Sequence, residues 1–195
     1  MRPRVAGFLV VLTVLAASAC TIVDPGGRFR SALATQPGVV DSREAAQLIS
    51  AYRRQHGLGS VSVDPTLTRI AAEHSRRMAA ANKMAHVLPG QGSFRAKLSS
   101  GGYFGGTAAE NVAAGQKTLA DVLEAWRRSP GHNRNLLMAG VTQIGIAVAV
   151  APESRYKTFW TLILGSPRPA DAVAVMPGPG SFGVRTAVGA SVEIN

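Results

Sequence analysis

The chain is predicted to fold as an α+β domain with helices covering a small sheet. Three stretches carry apolar residues at helical spacing, and two neighbouring stretches near residues 142–150 and 158–164 read as strands. Short connections bearing glycine and proline separate them, which favours a mixed sheet packed against helices. The 195 residues, 46% of them hydrophobic, suffice for one compact domain with a real core plus peripheral segments.

The elements follow in order. Asp41 and Glu44 have the spacing of a capping box, and Ala45, Leu48, Ile49 and Tyr52 then share one helical face until Gly57. Asp64-Pro65 opens a second helix, with Leu67, Ile70, Ala71 and Met78 at helical spacing, running to about Asn82. His74 falls on that stripe and is read as a packed core histidine whose nitrogens are satisfied locally. Ser93 to Leu98 reads as a short helix, and Gly105-Gly106 then leads into a loop that delivers Glu110. Thr118 and Asp121 cap another helix with Leu119, Val122, Leu123 and Trp126 inward, which stops at Ser129-Pro130-Gly131 and leaves His132 on a turn. Residues 142–150 and 158–164 are expected to be adjacent antiparallel strands joined by a hairpin loop over 151–157.

Both ends look appended. Arg2 and Arg4 precede an apolar run from Val5 to Ala17 that ends at Ser18-Ala19-Cys20, which reads as an export signal over residues 1–19. That run is shorter than the roughly 20 residues a spanning helix needs. Cys20 is the only cysteine, so no intramolecular disulfide can form. Ala17-Ser18-Ala19-Cys20 resembles the lipobox of bacterial lipoproteins, which implies lipid attachment at Cys20 and a membrane anchor. With Thr21 following, the resemblance is compatible with the outer membrane and places the chain on the periplasmic face of the envelope; plain secretion is the alternative. Residues 20–40, with Pro25-Gly26-Gly27 and Pro37-Gly38, read as a flexible tether, residues 41–166 as the folded domain, and 167–195 as a Pro/Gly-rich tail with a late strand near 187–194.

The formal charge is +10 for the whole chain and +8 once Arg2 and Arg4 leave with residues 1–19. Arg53-Arg54, Arg76-Arg77 and Arg127-Arg128 lie on expected helices, where the preferred reading is a solvated surface and the alternative is contact with anionic lipids or envelope polymers. Nucleic acid is not an expected partner, because an exported chain is separated from it and no basic motif interleaved with aromatics is present.

His86, Glu110 and His132 are expected on three separate loops. Two imidazoles and a carboxylate suit zinc or another divalent ion, although the local His-Glu-x-x-His signature is absent. The order Met78 to His86, Glu110-Asn111-Val112-Ala113, Trp126-x-x-Ser129-Pro130-Gly131-His132-x-x-Asn135-Leu136-Leu137 and Thr142-x-Ile144-Gly145-Ile146 resembles the bacterial CAP superfamily domain. That superfamily comprises the cysteine-rich secretory, antigen-five and pathogenesis-related proteins, or SCP-like extracellular domains. The resemblance covers residues 44 to 166. It implies an α-β-α sandwich, a cleft on a three-stranded, mainly antiparallel sheet, and an extracellular or envelope location. It also implies a cleft tetrad of two histidines and two acids, of which His86, Glu110 and His132 match three positions while the fourth falls near Ser129.

Ser129 therefore removes one acid from the tetrad, and Asn133 stands where bacterial relatives often carry arginine. Bland roles are open to the same residues: Asn111 pinning loop backbone, Ser129 satisfying a helix end, Glu110 and His132 holding loops together. The expected function is an exported, lipid-anchored protein whose cleft, lined by His86, Glu110, Asn111, Ser129 and His132, binds a small ligand, a lipid, a glycan or another envelope component, with a divalent metal such as zinc as candidate cofactor. Catalysis is not expected. One alternative is a hydrolase using His86, Glu110 and His132 with metal-bound water or Ser129, although the Gly-x-Ser-x-Gly elbow is missing. The other is an envelope-binding structural protein with a vestigial cleft.

Overall fold

The computed structural model describes residues 22–23, 29–30 and 38–167. The segment read as an export signal, Cys20, and the tail from residue 168 with its expected late strand lie outside the described residues. Within the segment read as a plain tether, β1 (Ile22–Val23) and β2 (Phe29–Arg30) pair antiparallel, Ile22 opposite Arg30.

Helix α1 (Ser42–Gln55) starts where the Asp41 carboxylate accepts the backbone N–H groups of Arg43 and Glu44 at 2.8 and 3.3 Å, satisfying two of the free donors of a first turn. Its Leu48, Ile49 and Tyr52 are buried as the periodicity predicts. Arg53 is buried too, against the expectation of a solvated pair. Its guanidinium donates to the carbonyls of Gly59, Leu136, Met138 and Val141 at 2.8–3.1 Å. Five fixed donors let an arginine be enclosed when backbone oxygens converge on it.

After the two-residue strand β3 (Ser62–Val63), α2 (Pro65–Ala80) is capped by Asp64, which accepts the Leu67 N–H at 2.8 Å. The short α3 (Phe94–Ser100) is capped by Ser93. Residues expected to be a loop form β4 (Ala108–Ala114), so Glu110 sits on a strand. This alanine-rich stretch has none of the branched alternation that marks a strand; its conformation is set by pairing along its whole length with Phe159–Gly165 of β6 (Lys157–Gly165). Helix α4 (Leu119–Arg128) carries the expected reciprocal capping box between Thr118 and Asp121, both bonds 3.1 Å. His132 is not on a turn. Ser129 is extended and turns the chain, and Pro130, tolerated at a first helical position, opens α5 (Pro130–Leu136) instead of ending helical structure. β5 (Gln143–Ala151) is the remaining element among the described residues, and β1 and β2 lie against α1 and α4.

The sheet order is β3-β5-β6-β4, four strands rather than three. β3 runs parallel to β5, and the other pairs are antiparallel, including the expected β5–β6 hairpin. Two residues are too few for β3 to show a period, which is why pattern reading missed it. Alternation along β6 divides the core. Trp160, Leu162 and Leu164 join Ile144 and Ile146 under α1, α4 and α5, while Phe159 and Ile163 face α2. The result is an α-β-α sandwich. At Gly145 a Cβ would lie 2.1 Å from the Leu67 carbonyl carbon and 2.2 Å from the Thr68 nitrogen, so only glycine lets the start of α2 sit this close to β5.

Candidate functional site

The site is built around β4, an edge strand of the sheet. Glu110 stands opposite Ile163 and Asn111 opposite Leu162, so the pleat sends the two side chains to opposite faces. Glu110 points to the side of α2 and α3, and Asn111 to the side of α5.

On the first face the Glu110 carboxylate is enclosed, its side chain 3% exposed. Oε1 pairs with His86 Nδ1 at 3.0 Å, and Oε2 accepts from the Lys97 ammonium at 2.6 Å. Lys97 also donates to the His86 carbonyl at 2.9 Å, so one ammonium fixes both the acid and the histidine loop. His74, fully buried on α2, lies 3.9 Å from Glu110 Oε1. It bonds the Ala85 carbonyl through Nε2 at 2.9 Å and Gln91 through Nδ1 at 3.1 Å. Gln91 also accepts the Leu88 N–H, which closes the loop that carries His86.

Burial alone would push the Glu110 carboxyl up. The bonds from His86 and Lys97 and the lysine charge outweigh it and hold the group below the ordinary carboxylate range. Burial likewise lowers the Lys97 and His74 values. His132 is lowered by burial first and by the neighbouring His86 second, which brings these two imidazoles into one electrostatic environment.

On the second face Asn111 donates to the His132 carbonyl at 3.1 Å and accepts from Asn135 at 2.8 Å. Asn135 also reaches the Glu110 carbonyl at 3.3 Å, so α5 is latched to β4 over the two residues that matter. Asn133 accepts the Tyr52 hydroxyl proton at 2.9 Å and ties α5 to α1. Ser129 makes no side-chain capping bond to α5; only its carbonyl acts, accepting from Asn133 N–H at 2.8 Å.

The structure thus joins His86 to Glu110, and holds His132 nearby through the Asn111–Asn135 latch. Ser129 shares no bond with any of them among the described residues. Glu110 does not fit as a direct ligand of a divalent ion, because one oxygen is on a histidine and the other on an ammonium. Among the described residues no three His, Cys, Asp or Glu side chains form a cation cage. Pattern reading missed Lys97, Gln91 and Asn135. Lys97 lies next to the core residue Leu98 on a short helix, where a lysine ordinarily reads as solvated, and no local signal separates the two cases.

A family model described as CAP, the cysteine-rich secretory protein family, matches residues 46–164. The uncharacterized protein YkwD of Bacillus subtilis (strain 168) is 36% identical over 104 residues, which cover 53% of this chain and 40% of that protein. Among solved structures, an extracellular protein of Bacillus anthracis containing an SCP domain matches with TM-score 0.56 and 27% identity, over 63% of this chain and 39% of the other. An outer surface protein of Borrelia burgdorferi shares the fold at TM-score 0.56 and 20% identity, over 67% of this chain and 99% of the other. The chain spans about two fifths of the length of the first two of these proteins.

Proposed function

Because this chain belongs to the cysteine-rich secretory protein (CAP) family, we propose that it is an exported, lipid-anchored protein whose cleft beside β4 binds an amphipathic envelope molecule without turning it over. The observation that carries this reading is the commitment of Glu110. Its oxygens are held by His86 and Lys97, so it orients His86 and is not free to take a proton from water. The Ser129 hydroxyl has no bond to either histidine, so the geometry offers no activated serine for the hydrolase alternative.

What remains available for contact suits binding. With Nδ1 engaged by Glu110, the other nitrogen of the half-exposed His86 ring is open to a ligand hydroxyl or anion. Met84 and Val87, two residues before and one after His86, are 47% and 49% exposed and present apolar surface on the same loop. Polar and apolar groups side by side favour a ligand with both characters, such as a lipid. The extracellular placement of the similar Bacillus anthracis protein and the signal-like N-terminus support an exported chain.

Fluorescence titration of the full chain in detergent with a dansyl-labelled phospholipid tests the reading. Saturable binding is expected, weakened about tenfold or more, roughly 1.4 kcal/mol, in His86→Ala and in Met84→Asp. Equal affinity in both folded variants would sink it.

A further inference from the structure

We propose that Lys97 is the resident cation of this cleft: its ammonium holds the Glu110 oxygen that a divalent ion would need, and so keeps that carboxylate from serving as a metal ligand. The inference rests on the geometry of Lys97 and Glu110, and not on the identity of any ligand.

Three observations support it. Lys97 is as enclosed as its partner, at 7% against 3% side-chain exposure, so the pair is sheltered from the solvent that makes a surface ion pair weak. The ammonium has two acceptors at short range, Glu110 Oε2 at 2.6 Å and the His86 carbonyl at 2.9 Å, and the Phe94 ring 5.7 Å away. Its backbone is held at the C-terminal part of α3, where Ser100 Oγ donates to the Lys97 carbonyl. The side chain is therefore anchored at both ends.

A divalent ion on the same carboxylate fits badly. Metal–oxygen bonds to zinc are about 2.0–2.2 Å, so an ion on Oε2 would lie within roughly 5 Å of the ammonium that already holds that oxygen. Like charges repel strongly at that range inside a protein. Moving Lys97 aside would leave a buried ammonium without its carboxylate, the costly way to break an enclosed pair. Lys97 also positions His86: it holds the loop carbonyl while Glu110 holds Nδ1, so the ring keeps a fixed direction without a metal to orient it. Removal of the ammonium would free one carboxylate oxygen beside His86, with the His132 imidazole in the same electrostatic environment.

The test uses zinc chloride as the only probe, on the full chain in detergent, with bound zinc counted after equilibrium dialysis and the histidine rings followed by nitrogen NMR. The wild-type chain is expected to hold no stoichiometric zinc, and its His86 and His132 ring signals to stay in place. Lys97→Met is expected to gain one zinc per chain, at least tenfold tighter than wild type, and Lys97→Met/Glu110→Gln to lose it. A wild-type chain that binds one zinc and loses it in Glu110→Gln overturns the proposal, as does a folded Lys97→Met that binds zinc no better. Should Lys97→Met fail to fold, Lys97→Gln and the wild-type ring signals decide. No lipid enters the experiment, so its failure and the failure of the ligand-binding reading are separate results.

Discussion

Glu110 and Asn111 are neighbours in sequence and opposites in space, and the difference sets what each does. Glu110 enters a pocket of histidines and a lysine; Asn111 bonds the backbone of α5. Full burial of His74 and partial burial of His132 make the site acid-sensitive. His74 sits against Glu110, Lys97, Gln91 and the Ala85 carbonyl, and burial lowers its affinity for protons, with the Lys97 charge adding to burial and Glu110 opposing it. A histidine with a lowered folded value binds protons more readily when unfolded. Stability therefore falls as pH drops below the ordinary value of 6.5 toward the folded one, and His132 adds with the same sign. Glu110 is lowered as well, so its contribution is full above the ordinary 4.5 and is lost only as pH falls through its folded value. Urea denaturation should show a lower midpoint at about pH 5.5 than at about pH 7, followed by a further loss in stronger acid. His74→Gln should reduce the first step; equal midpoints at the two pH values in the wild type would contradict this account.

Among the helices, α1 and α4 were legible because capping residues and apolar periodicity are written within each segment. Asp41, Thr118 and Asp121 cap where the sequence places them. α5 and β4 were not legible, since Pro130 is compatible with a break or a start, and β4 takes its form from β6 across the sheet. Arg53 shows the same limit within one helix. Its neighbour Arg54 is exposed and bonds Ser60 Oγ at 3.2 Å, whereas Arg53 gathers four carbonyls from the loop after α1, the last residue of α5 and the chain that follows it. Arg53→Met should cost on the order of 3 kcal/mol in urea denaturation because it strands buried carbonyls, while Arg54→Ala should stay within about 0.5 kcal/mol. Similar effects from both would refute the clamp. The other two arginine pairs are tied to glutamates on their own helices, Glu73 and Glu124, which suits the solvated reading of those faces.

For the whole molecule, the sandwich places helices on both faces of a four-stranded sheet and leaves β4 as the edge at which both faces contribute to the site. The lipid anchor is a proposal at this scale. Cys20→Ser should shift the protein from the membrane fraction to the soluble envelope fraction, and unchanged fractionation would remove the anchor from the reading. The sequence by itself determined the α+β class, the main helices and hairpin, and the family's motif order, because each is encoded in spacing along the chain. Only the tertiary structure decided that the buried acid meets a lysine, that His132 rides a helix latched by Asn111 and Asn135, and that Ser129 stands apart. Those contacts join residues that local periodicity treats independently, and which partner reaches the Glu110 carboxylate depends on how α2, α3 and β4 pack.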